Sequence, residues 1–357
     1  MRATVAAVRR AASQGKGVVT SVGLHTWELS LWAAGDSKTH AGVVLPSYEG
    51  ESEAALERIR RDFAIKSDLL TVFFFDSPCS ARRPKAGWPD RDQLVVMIAD
   101  ELWPISVRPG GNLERLIGEA VRSGKPVIEE HRVAYQPPRV SSVRRIEPTE
   151  IARWTVHADW PYLTHWTRSF DGPWPGERKA DYYFDLSQGG TGNPRSAVET
   201  LRRILAEGHL RGSSFKMPGR QRVVAFTGLP PALALAQMRY RKRFQRWSFE
   251  SYGLALDRGR LERLGARAVI YASDHSAGKD IFVQGQRSGR ADWSGQCEWR
   301  LPGDLDLLHF ESFEGVVLVP DASDRSRLEK NSRWPVLALT EDSPGSAAFG
   351  GPATLVE

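Results

Sequence analysis

Three short stretches carry side chains suited to handling phosphates and sugars. In Arg108-Pro109-Gly110-Gly111-Asn112 a strand ending at Val107 is expected to turn into a helix, with Asn112 as its N-cap. Glycines at such a turn bare backbone N–H groups, and a helix N-terminus adds partial positive charge, so the turn can cradle a phosphate. An ordinary β–α reversal built on Pro-Gly-Gly accounts for the same residues. In YLTHWTR, residues 162–168, a histidine (His165) sits on a short aromatic strand. In WSGQCEWR, residues 293–300, the carboxylate Glu298 follows the amide Gln296 by two positions and precedes Arg300 by two. One carboxylate is enough to stabilise a positive charge that develops on a reacting carbon. Trp160, Trp166, Trp174, Trp293 and Trp299 offer rings that stack on a base and exclude water. The plainer roles are a hydrogen-bonded core histidine and a solvated Glu298–Arg300 strand pair. The sequence has no Ser-His-Asp, P-loop or metal-ligand spacing, so no metal is expected.

A fourth stretch, QMRYRKRFQRW at 237–247, interleaves Arg239, Arg241, Lys242, Arg243 and Arg246 with Tyr240, Phe244 and Trp247. The three rings recur at i, i+4 and i+7, which predicts an amphipathic helix with an aromatic stripe toward the core. Its cations are then either a solvated face or a surface for nucleic-acid phosphates.

These residues need elements to hold them. The chain has 357 residues, 49 Lys plus Arg against 43 Asp plus Glu, and a net charge of +6. That length favours two domains. A hydrophobic content of 41% excludes a disordered or fibrous chain. No apolar run reaches the ~20 residues of a membrane span and the first residues lack a signal-peptide core, so a cytoplasmic protein without a membrane partner is expected. Two distant cysteines exclude a disulfide framework. Over 1–134, buried-type strands (18–22, 42–45, 69–75, 102–107, 126–129) alternate with helical patterns, predicting an α/β parallel-sheet domain. The Pro- and Arg-rich segment 135–150 reads as a linker. Residues 151–340 read as a mixed α+β domain with a clear helix at 196–207, closed by Gly208. The Gly/Ser/Ala/Pro-rich stretch 341–357 reads as a flexible tail.

The stretch from Trp88 to Leu116 resembles the superfamily that joins DNA-processing protein A with the Lonely-guy phosphoribohydrolases. There a Rossmann-like sheet carries a Pro-Gly-Gly turn, matched by Pro109, Gly110 and Gly111, and an upstream arginine, matched by Arg91. The resemblance covers about 15–130 and implies nucleotide or DNA binding, with Arg91, Arg108, Gly110, Gly111 and Asn112 at the phosphate. This chain continues Asn-Leu-Glu-Arg where the hydrolases have a second Gly-Thr, which favours binding over turnover.

Residues 160–320 resemble AbiGi-like and DarT-like phage-defence proteins of ADP-ribosyltransferase fold. That resemblance implies His165 at the nicotinamide ribose, Tyr252 stacked on nicotinamide, Glu298 orienting the ribose with Gln296 beside it, and Arg168 and Arg211 on phosphates. It further implies NAD as a substrate and N-glycosidic chemistry, either ADP-ribosyl transfer or NAD hydrolysis, directed at nucleic acid. A DNA glycosylase acting on a modified base and a non-catalytic DNA-binding or nucleotide-sensing protein are the alternatives.

Overall fold

The computed structural model describes residues 1–23, 26–47, 52–76, 88–137, 143, 145–156, 159–188, 194–215, 217–244, 246–272, 280–285 and 294–342. Of the residues singled out above, Trp293 and the tail from 343 onward lie outside these, and the side chain of Arg243 is not described. The chain divides into two units, Met1–Arg139 with Gly172–Thr191, and Val140–Asp171 with Gly192–Glu357.

The first unit runs α1 (Arg2–Ser13), β1 (Val18–Ser21), α2 (Thr26–Asp36), β2 (Ala41–Ser47), α3 (Ser52–Phe63), β3 (Leu70–Asp76), α4 (Trp88–Ile98) and α5 (Asn112–Arg122). It also takes in α6 (Lys179–Ser187). The strands form a parallel sheet in the order β1-β2-β3, with Val43 opposite Thr20 and Val72. Helix α2 is apolar nearly all round and buries Leu29, Leu31, Trp32, Ala33 and Ala34, as a helix enclosed by other elements must. Two expected strands fail to form. Leu102 and Val127 make a single parallel bridge, and the rest of 102–107 and 126–129 is irregular. Pro104 and Pro126 remove backbone donors from both segments, which prevents a continuous ladder.

A second difference concerns 172–191, read from sequence as part of the 151–340 domain. Its helix α6 instead buries Tyr182 and Tyr183 in the same core as Trp32, Phe63 and Val43. Glu28 on α2 fixes it, accepting from Lys179 Nζ at 2.5 Å and from the Tyr183 hydroxyl at 2.9 Å.

The second unit contains β4 (Tyr162–Trp166), α7 (Ala197–Glu207), β5 (His209–Leu210), β6 (Val223–Thr227), α8 (Pro231–Ala236), β7 (Tyr240–Arg241), β8 (Arg246–Trp247) and β9 (Gly253–Asp257). It continues with α9 (Arg258–Arg263), β10 (Arg267–Ala268), β11 (Ile270–Ala272), β12 (Val283–Gly285), β13 (Glu298–Pro302), β14 (Leu305–Asp306), β15 (Gly315–Val319), α10 (Ala322–Leu328) and β16 (Val336–Ala338). Seven strands make one mixed sheet in the order β10-β13-β6-β4-β9-β15-β16. Alternation sorts its side chains: Leu163, Leu254, Leu256, Val317 and Val319 meet Leu201, Leu261 and Leu328 of α7, α9 and α10. Tyr162, Ala255, Val316 and Leu318 meet Trp160 and Leu235 on the other face. Helix α7 forms where its caps predict, with Ser196 accepting from Glu199 N–H and Gly208 left-handed at φ 65°.

The basic run is not the helix its spacing predicts. It is a hairpin: Tyr240 pairs with Trp247 and Arg241 with Arg246 around a short 3₁₀ turn, Lys242–Phe244. The rings of Tyr240 and Trp247 pack edge to face at 5.8 Å, and Arg239 and Ser248 exchange hydrogen bonds just outside them. Cross-strand aromatic pairing outweighs the helix preference of Arg and Lys.

Candidate functional site

Glu298 opens β13, opposite Thr227 on β6, and Thr227 lies opposite Thr164 on β4. The residue before it, Cys297, is left-handed at φ 43°, which starts the strand abruptly. Arg300, two residues on and therefore on the same face, donates from Nε to Glu298 Oε1 at 2.8 Å. Arg300 is 1% exposed, and the Ile281 carbonyl and Gln284 Oε1 hold the rest of its guanidinium. The Tyr271 hydroxyl is buried beside this pair. Burial first, then the Glu298 charge, pushes it up to about 12. Sequence reasoning left Tyr271 unassigned and treated Arg300 only as a solvated strand partner; the Glu-x-Arg alternation on one strand face was the available sign of the buried pair.

A second cation, Arg241, feels the charge of this carboxylate, and two more arginines lie beside Arg241. Arg241, on the hairpin, is lowered by desolvation, then by Arg239 and Arg246, and is raised by Glu298. Arg168, just past β4, falls to about 10, through burial first and then through Arg246 and Arg241. Arg246 is lowered by burial. Arg168, Arg241 and Arg246 form no ion pair with a carboxylate among the described residues. Burial and mutual repulsion both act on these arginines, which lower one another's pKa.

His165 sits on the opposite face of the sheet. It neighbours Thr164, which shares a row with Thr227 and Glu298, and its ring packs edge-on against Phe226 at 5.9 Å. Strands β4 and β6 pair only at Thr164–Thr227. Beyond that point the imidazole reaches across to the Ala225 carbonyl at 2.9 Å. A carbonyl only accepts, so Nδ1 carries the proton and Nε2 keeps its lone pair. Burial pushes His165 down, the Ala225 hydrogen bond opposes this, and Arg168 adds to it.

The remaining expected residues go elsewhere. Tyr252 packs against the sheet's core and donates its hydroxyl to Asp324 at 2.7 Å. With ring and hydroxyl both engaged, it does not serve as the stacking surface that the resemblance implies. Arg211 pairs with Glu207 at the end of α7, which explains its place without a phosphate. Gln296 joins the site through its backbone, whose carbonyl accepts from the Thr227 hydroxyl at 2.8 Å. Trp160 is buried in the core and Trp166 stacks on Phe249 within 5.6 Å, so neither is a wall open to a base.

In the first unit the Pro-Gly-Gly turn is already filled. Gly110 N–H donates to Glu114 at 2.7 Å and Gly111 N–H to the Arg108 carbonyl. Gly111, not Asn112, is the N-cap of α5, and the Asn112 amide donates to Asp92. Arg108 is exposed. Arg91 is 8% exposed, paired with Asp92 at 2.6 Å, bonded to the Val22 carbonyl, and set 4.9 Å over Trp88. In this arrangement the turn's amides are taken by Glu114 and the Arg108 carbonyl, and Arg91 is neutralised by Asp92.

A cavity of about 480 Å³ in the second unit is lined by other residues, 149–153, Thr340 and Asp342. Among the described residues no set of three His, Cys, Asp or Glu side chains is arranged to hold a metal ion, and no helix is long and apolar enough to cross a membrane. No protein-family model, curated protein or solved structure matches this chain.

Proposed function

We propose that the second unit binds a nucleotide through its arginines and cleaves an N-glycosidic bond, with Glu298 facing the charge that develops at C1′. The observation that carries this reading is a carboxylate, Glu298, whose charge acts on Arg241, with Arg246 opposite Arg241 on the hairpin, Arg168 in their field, and no carboxylate ion-paired to any of the three among the described residues. A pyrophosphate supplies a counter-ion. A ribose beside it meets Glu298, whose Oε1 is held by Arg300 while Oε2 is left for the sugar.

NAD fits these demands, in line with the ADP-ribosyltransferase resemblance. The C1′–N bond breaks, the electron pair leaves with neutral nicotinamide, and an acceptor oxygen or nitrogen attacks C1′ and loses a proton. With water as acceptor, ADP-ribose and a proton are released. Neutral His165 lies on the opposite face of the sheet and ties β4 to the Ala225 carbonyl of β6, behind the row that carries Glu298. Defence against phage is the setting this proposal carries with it.

The test is chromatography of the protein incubated with NAD. Nicotinamide should appear, and Glu298→Gln should slow its release at least about a hundredfold. Alkali-labile sites in phage DNA with no nicotinamide would move the chemistry to a DNA base. Neither product would reduce the site to nucleotide binding.

A further inference from the structure

We infer that the Phe215–Phe244–Arg246 face of the second unit is a stacking platform for single-stranded nucleic acid. The Arg246 guanidinium lies 5.3 Å from the Phe215 ring and 5.5 Å from the Phe244 ring, and the two rings meet edge to face at 5.8 Å. Phe215 is 54% exposed. On the hairpin's other face, Arg145 lies 5.9 Å over Trp247, which packs against Tyr240. Beside the rings of Phe215 and Phe244, Arg246 supplies the cation of this face, and Arg241 lies opposite it on the neighbouring strand.

The charges decide what fits there. Arg239, Arg241, Lys242 and Arg246 form no ion pair among the described residues. An apolar protein surface laid over them would bury cations without partners, at high cost. A nucleic-acid backbone brings one phosphate per nucleotide, and its bases bring flat faces for the phenylalanines. Only an unpaired strand offers those faces, because a duplex stacks them inside. The platform goes beyond the proposed cleavage, since it needs neither Glu298 nor His165.

Fluorescence anisotropy with labelled 15-mers of oligo(dT) and oligo(rU), and with a 15-base-pair duplex, tests it on the full chain. At least one single strand should bind more tightly than the duplex. Its log affinity should fall with log salt at a slope of about −3, from four cations on a single strand. Phe215→Ala, at an exposed position that leaves the circular dichroism unchanged, should weaken single-strand binding about tenfold. Glu298→Gln, which removes a negative charge near Arg241, should not weaken it, so that failure of the cleavage reading and failure of the platform are told apart. Absence of single-strand binding, equal or tighter binding of the duplex, or a loss on Lys242→Ala with none on Phe215→Ala would each overturn the platform.

Discussion

Glu298 and Arg300 differ in what their removal does. Arg300 is buried and shared among Glu298, the Ile281 carbonyl and Gln284, so Arg300→Ala leaves three acceptors without their donor. Breaking such a pair costs about 3–5 kcal/mol, and chemical denaturation should show a loss near that range. Glu298→Gln keeps the shape and an acceptor but removes the charge opposite the buried Arg300 guanidinium, and should cost about 1.5–3 kcal/mol in the same measurement. His165 makes a pH prediction. Its pKa is pushed down in the folded chain, so below the ordinary imidazole value, ~6.5, the unfolded chain binds a proton that the native one refuses. Its contribution to stability is therefore present above that pH and is lost as pH falls. His165→Asn, which keeps a donor toward the Ala225 carbonyl, should flatten the acid side of the stability profile. The sequence marked His165 and Glu298 by type. It gave no sign that Arg91 is spent on Asp92, because adjacent helix positions do not ordinarily face each other and the pairing depends on how the buried guanidinium is turned.

Local signals at the element scale succeeded where they were self-contained. Helix α7 carries its own start and stop, and Gly208 is left-handed with open space until Leu308 at 3.4 Å. Gly208→Ala should lower stability by about 1 kcal/mol, and Ser196→Ala by a similar amount, both read by thermal unfolding. The basic run shows the limit of such signals. Rings at i, i+4 and i+7 satisfy a helix, yet Tyr240 and Trp247 also sit opposite each other in a hairpin, and the hairpin places Arg241 near Glu298 and Arg246 between two phenylalanines. The Pro-Gly-Gly turn looked like a phosphate cradle because its glycines and helix N-terminus were visible. What fills it, Glu114 one turn into α5, was visible only as a residue four positions away.

Across the whole molecule, the segment 172–191 belongs to the first unit although the chain on either side of it belongs to the second. Tyr182 and Tyr183 complete the core around Trp32 and Phe63. Tyr183→Ala should remove about 3–5 kcal/mol, and hydrogen exchange should place the loss on β1–β3 while the amides of β9 and β15 keep their protection. Composition and spacing by themselves determined the mixed α/β character, a change of grammar near residue 140, and the residue types fit for sugar and phosphate chemistry. Those follow from hydrophobic period, turn residues and charge, which act over a few positions. Only the tertiary structure decided that Arg241 comes near Glu298, with Arg246 and Arg168 beside Arg241, while Tyr252, Arg211 and Arg91 are engaged by Asp324, Glu207 and Asp92. Strand pairing between residues tens of positions apart sets those neighbours, and side chains take the nearest partner that satisfies their charge or hydrogen bonds.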